Sequence, residues 1–124
     1  GRLDEVGAWF YEADRAVVRA GLSGALPGRE LAAGVGYATG SEPIDLPWAR
    51  QYAVAEAMPL RVKAVRAWLR ARGIGRVTVK KRGASVDPES LRRELTTRAE
   101  GHATLVVTSV AGHPVAIVVD PATR

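Results

Sequence analysis

Lys80, Lys81 and Arg82 close the run Val77-Thr-Val-Lys-Lys-Arg-Gly83, and three adjacent cations without a neighbouring acid do one kind of chemistry well. Ammonium and guanidinium groups attract anions, and phosphate oxygens above all. The same spacing of types continues on either side. Arg61, Lys63, Arg66 and Arg70 precede the run, Arg76 stands at its start, and Arg92, Arg93 and Arg98 follow. Between residues 61 and 98 there are 12 Lys/Arg against 3 Asp/Glu, although the whole chain carries only +5. Charge of one sign concentrated in this way makes a field that steers a polyanion. Fifteen of the 18 cations are arginine in an alanine-rich chain, a composition that coding bias also produces. Two of the three lysines, however, sit together at Lys80-Lys81.

Residues for bond-making chemistry are sparse. The absence of cysteine excludes disulfides, thiolate metal sites and cysteine nucleophiles, and fits a cytoplasmic protein. His102 and His113 have no carboxylate at metal-ligand spacing, and read as strand-end and turn residues. The acid pair Glu12/Asp14 reads as helix capping; Asp4/Glu5 and Glu42/Asp45 fall in a terminus and a loop. Gly34-Val-Gly36 and Gly73-Ile-Gly75 are fragments of phosphate-loop motifs, but neither extends to G-x-G-x-x-G and neither leads from a strand into a helix. We therefore assign no catalytic, metal or cofactor-binding residue. No apolar run approaches the roughly 20 residues that cross a bilayer, so no membrane partner is expected.

The elements that position the cations follow from periodicity. Val6 to Tyr11 has strand composition, and Asp14 stands as N-cap before a helix over 15–22. Pro27 is placed to open a short helix over 29–33, followed by a strand within 34–40 and a loop over 41–47. That loop is the expected boundary between a small mixed lobe, 1–46, and a main domain, 47–124. Ala49 to Met58 reads as a strand with Tyr52, Val54 and Glu56 on one face. Leu60 to Arg72 reads as a helix stopped by Gly73, with Val62, Val65 and Leu69 buried and Lys63, Arg66 and Arg70 on another face. On the strand over 76–81, Val77 and Val79 oppose Arg76, Thr78 and Lys80. Asp87-Pro88-Glu89 starts a helix that buries Leu91 and Leu95 and shows Arg92, Arg93 and Arg98 outward. Strands over 103–110 and 114–119 form a hairpin. The order β-α-β-α-β-β predicts an α/β (α+β) fold with helices packed on a central sheet. Trp68 is the one aromatic near the cations, which favours backbone or shape recognition over stacking on single-stranded bases.

Several stretches resemble the THUMP-like C-terminal region of bacterial, actinobacterial-type, class I S-adenosylmethionine-dependent methyltransferases. These are Tyr11-Glu-Ala-Asp14 with Val18-Arg-Ala-Gly21, Gly36-Tyr-Ala-Thr-Gly40 and Pro47-Trp-Ala-Arg50. Leu60 to Gly73, Val77 to Gly83 and Asp87-Pro88 extend the likeness, with the Lys-Lys-Arg-Gly turn its most specific part. The resemblance implies that a Rossmann-like methyltransferase domain precedes this region, and that S-adenosylmethionine is the cofactor of the full-length protein. It implies RNA as a partner, tRNA-like in kind, alongside the protein's own methyltransferase domain. Lys63, Arg66, Arg70, Arg76, Lys80, Lys81, Arg82, Arg92 and Arg93 are the expected RNA-contacting residues. Two other roles stay open: a scaffold that packs on its own catalytic domain, and a region that shapes the pocket of a small-molecule methyltransferase.

Overall fold

The structure, a computed structural model, describes residues 6–31 and 34–120. Its elements are β1 (Trp9–Ala13), α1 (Arg15–Arg19), β2 (Arg29–Glu30), β3 (Tyr37–Gly40), β4 (Ala49–Pro59), α2 (Val62–Ala71), β5 (Ile74–Lys81), α3 (Pro88–Leu95), β6 (Gly101–Val110) and β7 (His113–Val119). The strands make one seven-stranded sheet in the order β2-β3-β1-β4-β7-β6-β5. Only β5 and β6 run parallel, linked through α3; every other pair is antiparallel. The fold is thus mixed α/β, and the expected order β-α-β-α-β-β holds from β4 to β7. The sheet also continues across the loop over 41–47, because β1 pairs with β4 from Trp9–Ala53 to Ala13–Ala49.

β6 carries an unbroken apolar run, Leu105-Val106-Val107, that places side chains on both faces of the sheet. Leu105 and Val107 face the helices, Val106 faces the other side, and all three are fully buried. The helix-side core joins Val65 and Leu69 of α2 and Leu91 and Leu95 of α3 to Val77, Leu105, Val107 and Val118 of the sheet. On the opposite face Phe10, Tyr37, Tyr52, Val106 and Ile117 form an inner core, in which the rings of Phe10 and Tyr37 meet edge to face at 4.7 Å. In a flat sheet β5 would lie about 14 Å from β4, three spacings away. Yet side chains from β5, β4 and β1 meet on the inner face, as described below, so the sheet curls around that core.

Local signals held where neighbouring residues decide them. Gly73 adopts φ 70° after α2, and its N–H bonds the carbonyl of Arg70 at 3.0 Å. Asp87 caps α3, its Oδ2 accepting from the N–H of Ser90 at 3.2 Å and the hydroxyl of Ser90 at 2.6 Å. These bonds hold the Asp87 carboxyl below the ordinary carboxylate range, and Arg92 does the same for Glu89. A depressed carboxylate stabilises the fold above its ordinary pKa and loses that contribution as pH falls through the lowered value. Asp87→Ala is therefore expected to lower the melting temperature at neutral pH and to flatten the acid limb below about pH 4. Melting scans across that range check it.

Four expectations need correction. The helix expected over 29–33 does not form at Arg29–Glu30, which pair with Thr39 and Ala38 as a short strand; Ala32 and Ala33 lie outside the described residues. The helix expected to reach Leu22 stops at Arg19, and Asp14, although at the N-cap position, makes no side-chain cap bond. The alternation along β4 breaks at a bulge between Val54 and Glu56, so Tyr52, Val54 and Ala57 face the inner core and Met58 the helix side. Finally, α3 ends at Leu95, which places Arg98 on the segment after the helix.

Candidate nucleic-acid interface

The helix α2 buries Val65 and Leu69, and its period then places Lys63, Arg66 and Arg70 in solvent. Helix α3 packs beside α2 over β5. Past Leu95 the chain turns back against the start of β5: the N–H of Thr97 donates to the carbonyl of Gly75 at 3.0 Å. Gly75 is required there, since a Cβ would run into the carbonyl oxygen of Ala99. The turn brings Arg98 to Arg66 and Arg70. With Thr96, Thr97 and Ala99 these three arginines line an open groove of ≈ 650 Å³. None of the three makes an ion pair among the described residues. Like charges held together without a counter-charge are a place for an anion.

The remaining expected contacts lie outside this groove. Arg76 is exposed near the start of β5 and Lys81 at its end. On α3, Arg92 is paired with Glu89, and Arg93 donates to the hydroxyl of Ser90 at 3.3 Å. Exposed pairs of this kind are weak and leave the surface basic.

Lys80 and Arg82 are placed differently. Lys80 does lie opposite Val77 and Val79, but on the curled sheet that direction points inward. Its Nζ donates to Glu12 Oε1 and to the hydroxyl of Tyr52, each at 2.9 Å, and the Tyr52 hydroxyl donates to Glu12 at 3.1 Å. Burial pulls the Lys80 pKa down, but the bonds to Tyr52 and Glu12 outweigh it and leave the ammonium above its ordinary value. Arg82 donates from Nη1 to the carbonyls of Ala13 at 3.1 Å and Val35 at 3.4 Å, and its Nη2 lies 3.5 Å from Glu12 Oε2. Its guanidinium also stands 5.0 Å from the ring centre of Tyr37. Glu12 is therefore the shared partner of two cations in β1, and not the helix cap that the sequence suggested. A glycine-rich turn completes the arrangement: at Gly36, φ 86°, a Cβ would run into Val18 and stand 2.9 Å from Arg82 Nη1.

His102 and His113 sit near the starts of β6 and β7, and His102 Nε2 lies 2.9 Å from the hydroxyl of Thr78. Among the described residues no three His, Cys, Asp or Glu side chains cluster as metal ligands, and no helix is long and apolar enough to cross a membrane.

The comparisons extend this picture. No curated protein matches the chain. Among solved structures, a proposed methyltransferase from Porphyromonas gingivalis W83 superposes with a TM-score of 0.75 at 19% identity, over 96% of this chain and 30% of that one. TrmN from Thermus thermophilus follows at 0.43 and 14%, over 90% of this chain and 45% of that one. The chain thus spans less than half the length of either. The first match shares the fold on both sides of the loop over 41–47. Residues 49–121, the sheet and helices that carry the arginine groove, match the model of the THUMP domain-like family, and the chain belongs to that family.

Proposed function

We propose that this chain is a non-catalytic RNA-binding module of a larger S-adenosylmethionine-dependent methyltransferase, and that it presents folded RNA to a catalytic domain elsewhere in the parent enzyme. The observation that carries the reading is the groove between α2 and the segment after α3, where Arg66, Arg70 and Arg98 converge without an acidic partner among the described residues. Lys63, Arg92 and Arg93 add exposed charge on α2 and α3, Arg76 lies near the same end of β5, and Lys81 stands at its other end. Family membership supports a binding role, and the fold shared with the P. gingivalis protein supports a methyltransferase parent. The methyl donor belongs, on this reading, to the catalytic domain. Lys80 and Arg82 act in this scheme mainly by holding the curled sheet. Leu22 is the one large hydrophobic that is exposed among the described residues, which favours a polar partner over an apolar domain interface.

Titration of fluorescently labelled bulk tRNA with the intact chain at rising salt tests the proposal. The triple variant Arg66→Ala, Arg70→Ala, Arg98→Ala is expected to bind on the order of 10- to 100-fold more weakly. Its slope of log affinity against log salt should be shallower by roughly 2 to 3, at about 0.7–0.9 for each phosphate no longer neutralised. A wild-type chain that binds no RNA at low salt overturns the reading.

A further inference from the structure

We infer that the chain has a second phosphate-binding site, at the opposite end of β5 from the groove, formed by Arg15 and Arg19 of α1 together with Arg82. These residues line an open pocket of ≈ 440 Å³ with Val18, Gly34, Val35 and Gly83. Arg15 and Arg19 are exposed, lie one helical turn apart, and make no ion pair among the described residues. Arg82 forms the fixed wall. Its Nη1 donates to the carbonyls of Ala13 and Val35 and its Nη2 pairs with Glu12 at 3.5 Å, which holds the guanidinium in place, while its Nε–H, one of the five N–H donors, makes no hydrogen bond among the described residues. The acid in contact with this arginine, Glu12, is already shared with Lys80, so it does not neutralise Arg15 and Arg19. Glu30 is occupied too, accepting from the N–H of Gly34 at 2.9 Å. Glycine at 36 and 83 lets the backbone pack closely against the side chains that line the pocket. A Cβ at Gly83 would press on Val35 at 2.9 Å, and one at Gly36 on Arg82 itself.

A planar guanidinium held by backbone carbonyls, beside two exposed ones, suits the oxygens of one phosphate group. The two arginine sites are separated by the length of β5, about 23 Å at roughly 3.3 Å per residue. Arg76 and Lys81 stand near the two ends of that strand. The inference rests on the RNA-binding reading only for the source of the phosphate: a backbone phosphodiester of bound RNA, or a free phosphate ester.

The test uses Arg15→Ala/Arg19→Ala in the intact chain. Both residues are exposed, so its melting temperature should match wild type. With labelled bulk tRNA as probe, the variant should bind more weakly and show a salt slope shallower by roughly 1.4 to 1.8. Arg15→Lys/Arg19→Lys should restore most of that slope, since lysine keeps the charge. Calorimetric titration with inorganic pyrophosphate forms the second arm. Unchanged RNA binding together with pyrophosphate binding that Arg15→Ala/Arg19→Ala abolishes would assign the site to a free phosphate ester. If wild type binds no tRNA, the RNA reading fails while the pyrophosphate arm still tests the pocket. A variant indistinguishable from wild type in both arms overturns the inference.

Discussion

Replacing Glu12 by alanine is expected to lower the folding stability by about 3 kcal/mol, the order found when one partner of a buried ion pair is removed. Glu12 is 8% exposed and is the shared acceptor for Lys80, Arg82 and the Tyr52 hydroxyl. Without it, two cations lie against the inner core with only a hydroxyl and two carbonyls to satisfy them. Equilibrium urea unfolding measures the loss through the midpoint. Glu12→Gln keeps an acceptor for Tyr52 and one cation, and should lose less. A cost under about 1 kcal/mol for the alanine variant would place the network among surface pairs.

The same network sets an alkaline limit. Burial first, and the Glu12 charge second, push the Tyr37 hydroxyl above its ordinary pKa, and Lys80 is raised as well. A raised group contributes stability that is full below its unfolded pKa and is lost as pH rises through the folded one. Stability should accordingly hold up to about pH 10 and fall above it, and the fall should be shallower in Glu12→Ala.

Leu69→Ala is expected to cost roughly 2 to 5 kcal/mol. Leu69 is 1% exposed and lies in the helix-side core that includes Leu91, Leu95 and Leu105. Both α2 and the β5–α3–β6 unit pack around it, so the surroundings have little room to close the cavity. Because Arg66 and Arg70 flank Leu69 on the same helix, RNA affinity should fall with stability. On the proposed RNA-binding reading the salt slope should stay near wild type, since every cation of the groove is still present. Urea unfolding together with the tRNA salt titration separates the two effects; a slope that changed as much as in the triple arginine variant would contradict this assignment.

What the residues announced, and what they concealed, divides along one physical line. The sequence by itself determined the elements from β4 to β7, because a cap, a breaker and a period act within a few residues. Asp87-Pro88 starts α3, Gly73 follows α2, and an apolar run buried on both faces makes β6. It also determined that residues 61–98 are basic. In short segments a distant partner decides, as at Arg29–Glu30, where pairing with β3 outweighs the helix signal of Pro27. Only the tertiary structure decided what each cation does. Strand alternation correctly separated Lys80 from Val77 and Val79, but whether that face meets solvent depends on the curl of the whole sheet. The curl joins Lys80 to Glu12 across 68 residues of chain and brings Arg82 to Ala13 across 69. It also sets Arg98 beside Arg66 and Arg70 through a turn anchored on Gly75. Alternation and helical period are properties of adjacent residues, whereas charge pairing is a property of space.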